Sequence, residues 1–272
     1  MDHLPHFRRE VTAFTAAARR AVGSAPPVPS CPGWSVVDLV THLGRVHRML
    51  APVIRDRLTE PPTVPAAGPG DETVSAAHTK EAESAAHTKE VVSAAHAKTV
   101  VSAALVEWFA EGAEELAAQF GGCRPDEPAW SWSREHTVGF WLRMQTIEAA
   151  VHRWDIEGAV DGAADVLDPV VAGDAVSQTF EVMVPARRGW QSAPAGSGET
   201  FRFRQTDGPR EWTIRFEGDG ACLVDGPGDV TLAGTASNLA LFLWHRLPAA
   251  ECGEIEGDPA VLDRYFTLVP PT

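Results

Sequence analysis

The sequence predicts an all-α N-terminal domain followed by a smaller α+β domain with an antiparallel sheet. Two observations lead to this fold class. Apolar residues recur at helical spacing in four segments ahead of Gly162, and they alternate with polar residues at period two in short segments after it. The predicted domains span residues 1–162 and 163–272.

The helices of the first half are predicted over residues 6–22, from Ser35 onward, over 101–120 and from about Thr137 to Ala159. Ser35 starts the second helix because Asp38, three residues later, completes a capping box. The buried face of that helix is expected to contain Leu39, Leu43, Val46 and Leu50, with His42 beside it, and the surface face Arg45, Arg48 and Arg55.

A repeat with a period of nine residues occupies positions 75 to 104, where Ser-Ala-Ala-His-Thr-Lys recurs in slightly varied form. Nine residues turn a helix by about 900°, so His78 and His87 would point to opposite sides, and His96 would lie about 27 Å from His78. The three repeat histidines are therefore not expected to form one metal cluster within a single helix. We interpret the repeat as an expansion of an alanine-rich segment.

The second half is predicted to begin with a helix over 167–187, with Pro169 in its first turn. Four short antiparallel strands are expected over 200–206, 211–217, 221–225 and 229–233, because each is bounded by Gly, Pro or Asp turns. A strongly apolar helix over 237–247, capped by Ser237, and a last helix over 258–268 complete the predicted domain.

Composition limits the partners and the compartment of the protein. The formal charge of −14 repels a phosphate backbone, so no nucleic acid partner is expected. Secretory signals and apolar runs of about 18 residues are missing from the sequence, so neither secretion nor a membrane partner is expected. The four cysteines are far apart and form no C-x-x-C pair, which favours a reducing, cytoplasmic location. A monomer or homodimer is expected.

The chemistry-bearing pattern is Glu148, His152 and Asp155, at i, i+4 and i+7 of the predicted fourth helix. Residues one turn apart lie on one face, which is how helices present paired metal ligands. The pair Glu148 and His152 could equally be an exposed hydrogen-bonded pair, with Arg153 an ordinary surface charge. Bulky apolar neighbours such as Trp141 favour a partly buried carboxylate that needs a partner. His42 alone would most often be a core histidine.

Other catalytic patterns are weaker. The sequence contains no G-x-S-x-G elbow, no phosphate-binding P-loop and no G-x-G-x-x-G after a strand. Cys31 lies just ahead of a helix start, where a nucleophile could be activated, but it stands four residues before the cap at Ser35. A turn residue packed beside Trp34 is the favoured interpretation of Cys31.

The segments Cys31 to Leu43 (Cys-Pro-Gly-Trp-Ser-Val-Val-Asp-Leu-Val-Thr-His-Leu) and Thr146 to Asp155 (Thr-Ile-Glu-Ala-Ala-Val-His-Arg-Trp-Asp) resemble the mycothiol-dependent maleylpyruvate isomerase family of actinobacteria. That family belongs to the DinB-like four-helix metalloproteins. Leu232 to Arg246 and Gly257-Asp258 resemble its C-terminal α+β domain. The resemblance therefore covers most of the chain, except that the repeat replaces a region that helps to line the pocket in relatives.

The resemblance implies a divalent metal, usually zinc, bound by His42, Glu148 and His152. Three protein ligands leave an open coordination position, as in catalytic zinc sites. A thiol, here mycothiol as cosubstrate, would be held there as the thiolate nucleophile. Addition to an electrophilic double bond, rotation and elimination would isomerise a small substrate, whereas addition without elimination, or attack on a leaving group, would be S-transfer.

Two further residues have alternative interpretations. Arg246 is the candidate catalytic residue that binds a substrate carboxylate, because a guanidinium fork suits a dicarboxylate, or it is a surface arginine. Asp155 could orient a ligand histidine, although a helix-end charge is slightly favoured. The leading function is a thiol-dependent isomerase or S-transferase. The alternatives are a metal-dependent enzyme without a thiol and a non-catalytic metal-binding or regulatory module.

Overall fold

The computed structural model describes residues 1–62 and 100–271, and the chain divides into two compact units, Met1–Asp165 and Val166–Thr272. The repeat histidines His78, His87 and His96 lie outside the described residues. The serine of the last repeat, Ser102, is the N-cap of the third helix, where its side chain accepts a hydrogen bond from the Leu105 amide. Among the described residues, no helix is long and apolar enough to cross a membrane.

The N-terminal unit is a helical bundle. Its main helices are α1 (His3–Arg20), α2 (Val36–Arg55), α3 (Ala103–Gly122) and α4 (Val138–Asp161). Helix α1 packs against α3 and α4, and α2 packs against the same two helices. The predicted helices are confirmed, with ends displaced by two or three residues at some termini.

The capping box that starts α2 is confirmed. Ser35 Oγ accepts from the Asp38 amide at 3.4 Å, and the Asp38 carboxylate accepts from the Ser35 amide at 2.8 Å. The predicted buried face needs one correction, because His47 is fully buried whereas Val46 is half-buried. The predicted surface face also needs a correction at Arg48, because the Arg48 guanidinium packs over the Trp108 ring at 4.4 Å instead of extending into solvent.

The C-terminal unit begins with a long, irregular helical segment. Helix α5 (Pro169–Gln178) is capped by Asp168 and continues through a π-helical turn (Thr179–Met183) into α6 (Val184–Trp190). The predicted helix from 167 is therefore confirmed and extends three residues beyond its predicted end. The π-helical turn inserts an extra residue per turn, which helical periodicity in the sequence does not reveal.

The sheet has five strands in the order β3-β2-β1-β4-β5, namely β1 (Gly196–Gln205), β2 (Glu211–Gly218), β3 (Gly220–Val224), β4 (Val230–Gly234) and β5 (Gly253–Gly257). The prediction of purely antiparallel pairing is wrong for β1 and β4, which pair in parallel. The β2–β3 hairpin lies on one side of β1 and β4 lies on the other. After β3 the chain therefore crosses the sheet before it forms β4. Strand β5 was not predicted.

Helix α7 (Ala236–Leu243) follows the sheet and shows two further corrections. Its N-cap is Thr235, whereas the predicted cap Ser237 is buried and accepts from the Leu167 amide. It ends at Leu243 rather than 247, because His245 adopts a left-handed backbone (φ 60°) in a Schellman turn. The His245 amide donates to the Phe242 carbonyl and the Arg246 amide to the Leu241 carbonyl.

Three short helices, α8 (Ala249–Cys252), α9 (Pro259–Asp263) and α10 (Tyr265–Leu268), complete the described chain. The predicted last helix is thus two pieces that meet at Arg264. Tyr265 is fully buried at the centre of an aromatic core formed with Phe201, Phe203, Phe216 and Phe242. Because aromatic side chains each bury a large apolar area, this cluster forms the centre of the core of the unit.

Candidate metal centre

Three side chains from two helices of the N-terminal unit meet at one point. His42 lies on α2, and Glu148 and His152 lie one turn apart on α4. His42 Nε2 is 3.3 Å from Glu148 Oε1, and His152 Nε2 is 4.0 Å from the same oxygen. The candidate ligand atoms all lie within 4.8 Å of one another. Within the described residues, no other group of three or more Asp, Glu, His or Cys side chains brings its ligand atoms this close together.

The donor set fits a small divalent ion. Zinc binds imidazole nitrogen and carboxylate oxygen at about 2.0–2.2 Å, so tetrahedral neighbours lie about 3.4 Å apart. The distances of 3.3 and 4.0 Å around Glu148 Oε1 are close to that spacing. The interpretation of Glu148 and His152 as an exposed surface pair is wrong, because their side chains are only 13% and 7% exposed.

Glu148 is held as a carboxylate with one oxygen directed at the histidines. Burial by itself raises the pKa of Glu148, but the hydrogen bond with His42 and the electrostatic attraction of His42 and His152 outweigh it and lower the pKa to about 2. Gln145 Nε2 donates to the other oxygen, Oε2, at 2.6 Å. Oε1 is therefore the oxygen available to a metal, and Gln145, which sequence reasoning missed, fixes its direction.

Asp155 orients His152. Its fully buried carboxylate lies 2.9 Å from His152 Nδ1, so Nδ1 carries the proton and Nε2 presents its lone pair to the ligand group. Ser30 Oγ donates to Asp155 Oδ1 at 2.6 Å, and the Cys31 thiol approaches Oδ2 at 3.6 Å. The preferred interpretation of Asp155 as a helix-end charge is therefore wrong. Cys31 lies in a turn, as expected.

Aromatic and imidazole rings surround this group. The Trp34 ring packs edge-on against His42 at 5.1 Å, and the His42 and His152 rings lie 5.4 Å apart. His47, five residues further along α2, packs in the core against Phe7 and Phe109, and burial lowers its pKa to about 3. Sequence reasoning missed His47, although its spacing from the buried residue Leu43 continues the apolar face of α2.

Arg153 is not the surface charge that the sequence suggested. Its buried guanidinium donates to Glu10 Oε2 at 3.0 Å, and to Glu157 Oε2 and the Asp165 carbonyl at 2.7 Å each. Burial alone would lower the pKa of Arg153, but the hydrogen bonds with Glu157 and Glu10 raise it above its ordinary value. The arginine thus ties α4 to α1.

Arg246 belongs to the C-terminal unit, whereas the three candidate ligands belong to the N-terminal unit. It follows the Schellman turn at the end of α7, where it is half-buried and its Nη1 donates to the Trp244 carbonyl at 2.7 Å. Of the predicted site residues, His42, Glu148 and His152 therefore lie together in the N-terminal unit, and Arg246 lies in the C-terminal unit.

Comparison with known proteins agrees with this architecture. Residues 4–157 match the family model of the mycothiol maleylpyruvate isomerase N-terminal domain, and residues 170–264 match that of the MDMPI C-terminal domain. The chain belongs to the mycothiol maleylpyruvate isomerase family. The predicted family and the prediction of an enzyme are thereby confirmed. No curated protein matches the sequence.

Two solved structures share the fold of this family member, and both are of the mycothiol-dependent maleylpyruvate isomerase, one with a histidine replaced by alanine. Each comparison covers 90% of this chain and 89% of the other, with TM-scores of 0.56 and 0.57. Sequence identities are 12% and 13%, so the likeness concerns the fold. The predicted fold class, a helical N-terminal region followed by a smaller α+β domain, is confirmed.

Proposed function

We propose that the protein is a divalent-metal enzyme that uses mycothiol either to isomerise a small electrophilic substrate or, as an S-transferase, to join that substrate to the mycothiol sulfur. The observation that supports this proposal most directly is the convergence of His42, Glu148 and His152, whose ligand atoms lie within 4.8 Å, in a member of a mycothiol-dependent family. Zinc suits this nitrogen and oxygen donor set.

The chain's own residues support this role. His42 would offer Nε2, His152 would offer Nε2 because Asp155 holds its Nδ1 proton, and Glu148 would offer Oε1 because Gln145 binds its other oxygen. Three protein donors leave room for a fourth ligand, and a bound divalent ion would supply positive charge that keeps a thiol ionised as a nucleophile at neutral pH. The Trp34 ring beside His42 would limit the access of water to one side.

Arg246 remains the candidate for binding a substrate carboxylate. It directly follows His245, whose left-handed backbone ends helix α7 and turns the chain at this position. We propose the reducing cytoplasm as the place of action, and none of the four cysteines, which all lie in the described residues, forms a disulfide.

The test combines metal analysis with two activity assays. The purified protein is expected to contain about one divalent ion per chain, to isomerise maleylpyruvate or alkylate mycothiol with an electrophile, and to lose metal and activity in His42→Ala. His136→Ala, which alters an exposed histidine outside the ligand group, is the matched control and should retain both. Metal-free wild-type protein with undiminished activity would contradict the proposal.

Two alternatives predict different results in the same experiments. A metal enzyme that needs no thiol would retain activity when mycothiol is omitted. A non-catalytic module of the same fold would bind cobalt, yet the visible spectrum of the cobalt protein would stay unchanged at about millimolar mycothiol. We expect the spectrum to change, because thiolate coordination alters the ligand field of the metal.

A further inference from the structure

Helix α6 contains two adjacent buried arginines with very different partners. Arg188 is fully supplied with acceptors, since its guanidinium donates to the carbonyl oxygens of Asp219, Leu268, Pro194 and Gly218 at 2.7–3.3 Å. Its neighbour Arg187 is equally buried, at 4% exposure, but makes one long hydrogen bond, from Nη1 to the Leu243 carbonyl at 3.3 Å. Both residues lie on α6 and both are buried, so the shortage of hydrogen-bond acceptors is specific to Arg187.

Arg187 lacks a counter-ion within the part of the chain that the structure describes. No ion pair to its guanidinium exists there, and its Nε is buried without a hydrogen-bond partner. The Trp244 Nε1 and Tyr265 hydroxyl groups are likewise buried and without partners among the described residues. The Arg187 guanidinium lies 5.9 Å from the Trp244 ring. Several buried hydrogen-bond donors therefore lie close together without enough acceptors.

The local charge balance is positive. The carbonyl end of α7, which accepts from Arg187 at Leu243 and from Arg246 at Trp244, offers about half a negative charge. Arg187 by itself contributes one full positive charge. Burial lowers the pKa of Arg187 to about 10, and the nearby Arg246 charge acts in the same direction, whereas Tyr265 opposes it. The guanidinium still remains protonated at neutral pH, so the helix end alone does not neutralise it.

The unused donors of Arg187 indicate what would neutralise the charge. Nη1 is engaged with Leu243, which leaves the Nε and Nη2 edge, a planar fork of two parallel N–H groups. A carboxylate matches this fork with its two oxygens, whereas a spherical anion engages it less well.

We propose that the Nε and Nη2 edge of Arg187, beside the Trp244 indole, is a binding site for the carboxylate of a small organic acid. The proposal deepens the proposed function, because it names carboxylates as the ligand class of the C-terminal unit. It rests on that function only for the claim that the acid is the substrate. Binding itself requires neither metal nor mycothiol.

The test follows the arginine Nε–H signals of the full-length protein by nitrogen-15 NMR during titration with maleate, without mycothiol. The Arg187 signal is assigned by its absence from Arg187→Met. We expect a saturable shift of that signal, and an affinity for maleate, measured by calorimetry, that is at least about tenfold weaker in Arg187→Met and Arg187→Lys. Arg188→Met is the matched control and should bind maleate as the wild type does.

Thermal unfolding without added carboxylate separates ligand binding from a structural role. If Arg187 is retained for a ligand, Arg187→Met should melt at or above the wild-type temperature, because an uncompensated buried charge is removed. Arg188→Met should melt well below it, because four carbonyl oxygens lose their donor. An absent shift in the wild type, unchanged maleate affinity in Arg187→Met and Arg187→Lys, or equal binding of phosphate would overturn the proposal. So would an Arg187→Met melting temperature as low as that of Arg188→Met.

Discussion

Replacing Asp155 by asparagine tests how strongly the inner carboxylate supports the candidate metal centre. The substitution keeps the shape of a fully buried side chain and removes the charge that holds the proton on His152 Nδ1 at 2.9 Å. Loss of such a supporting partner commonly weakens metal binding by about 10- to 100-fold, which corresponds to about 1.4–2.7 kcal/mol. We expect a zinc affinity reduced by that factor.

The assay is a competition titration with a chromophoric chelator near neutral pH, with circular dichroism as a check on the fold. Ser30→Ala is the matched control, because it removes only the hydroxyl that donates to Asp155 Oδ1 at 2.6 Å and leaves the charge in place. Its zinc affinity should fall less than that of Asp155→Asn. An Asp155→Asn protein that binds zinc as tightly as the wild type would refute the orienting role.

Three further predictions concern neighbouring residues. Gln145→Leu should weaken zinc binding by about tenfold in the same titration, because Glu148 Oε2 loses its donor at 2.6 Å. His47→Leu should make the stability of the protein less sensitive to acid. In the wild type, the pKa of folded His47, about 3, lies below its value of 6.5 in the unfolded chain. The unfolded chain therefore binds a proton first as the pH falls, and the wild type loses stability. Between about pH 7.5 and pH 5, the free energy of unfolding measured with urea should fall by about 2 kcal/mol less in His47→Leu than in the wild type. Arg153→Met should lower the free energy of unfolding by about 1–3 kcal/mol, because buried Glu10 Oε2 loses its donor while Arg9 still holds Oε1. A change under about 0.5 kcal/mol would contradict this prediction.

Features that depend on neighbours in sequence could be predicted. The capping box at Ser35 needs only Asp38, three residues away, and its two hydrogen bonds form wherever that helix starts. The convergence of Glu148 and His152 follows from helical geometry alone. His42 could be assigned to the ligand group only through the family resemblance, because it lies 106 residues from Glu148 in the sequence. Local residue spacing cannot predict a contact between residues so far apart.

Features that depend on distant partners were interpreted wrongly. Pairing between β1 and β4 is decided by where the β2–β3 hairpin lies, and period-two alternation is the same in parallel and antiparallel strands. The cap of α7 is ambiguous in a run that offers both Thr235 and Ser237, and only the structure shows that Ser237 is buried against the Leu167 amide. Strand β5 has a recognisable alternation in Gly-Glu-Ile-Glu-Gly, but it is short.

The errors at Asp155 and Arg153 have a common physical cause. Helix α4 is buried on most of its circumference, so its charged side chains need partners from other segments. Arg153 finds Glu10 on α1, and Asp155 finds Ser30 ahead of α2. Consecutive residues His152 and Arg153 point about 100° apart, so α4 is fixed from two directions. Rotation of α4 would break one of these sets of contacts, and this restraint keeps the ligand atoms of Glu148 and His152 directed at His42.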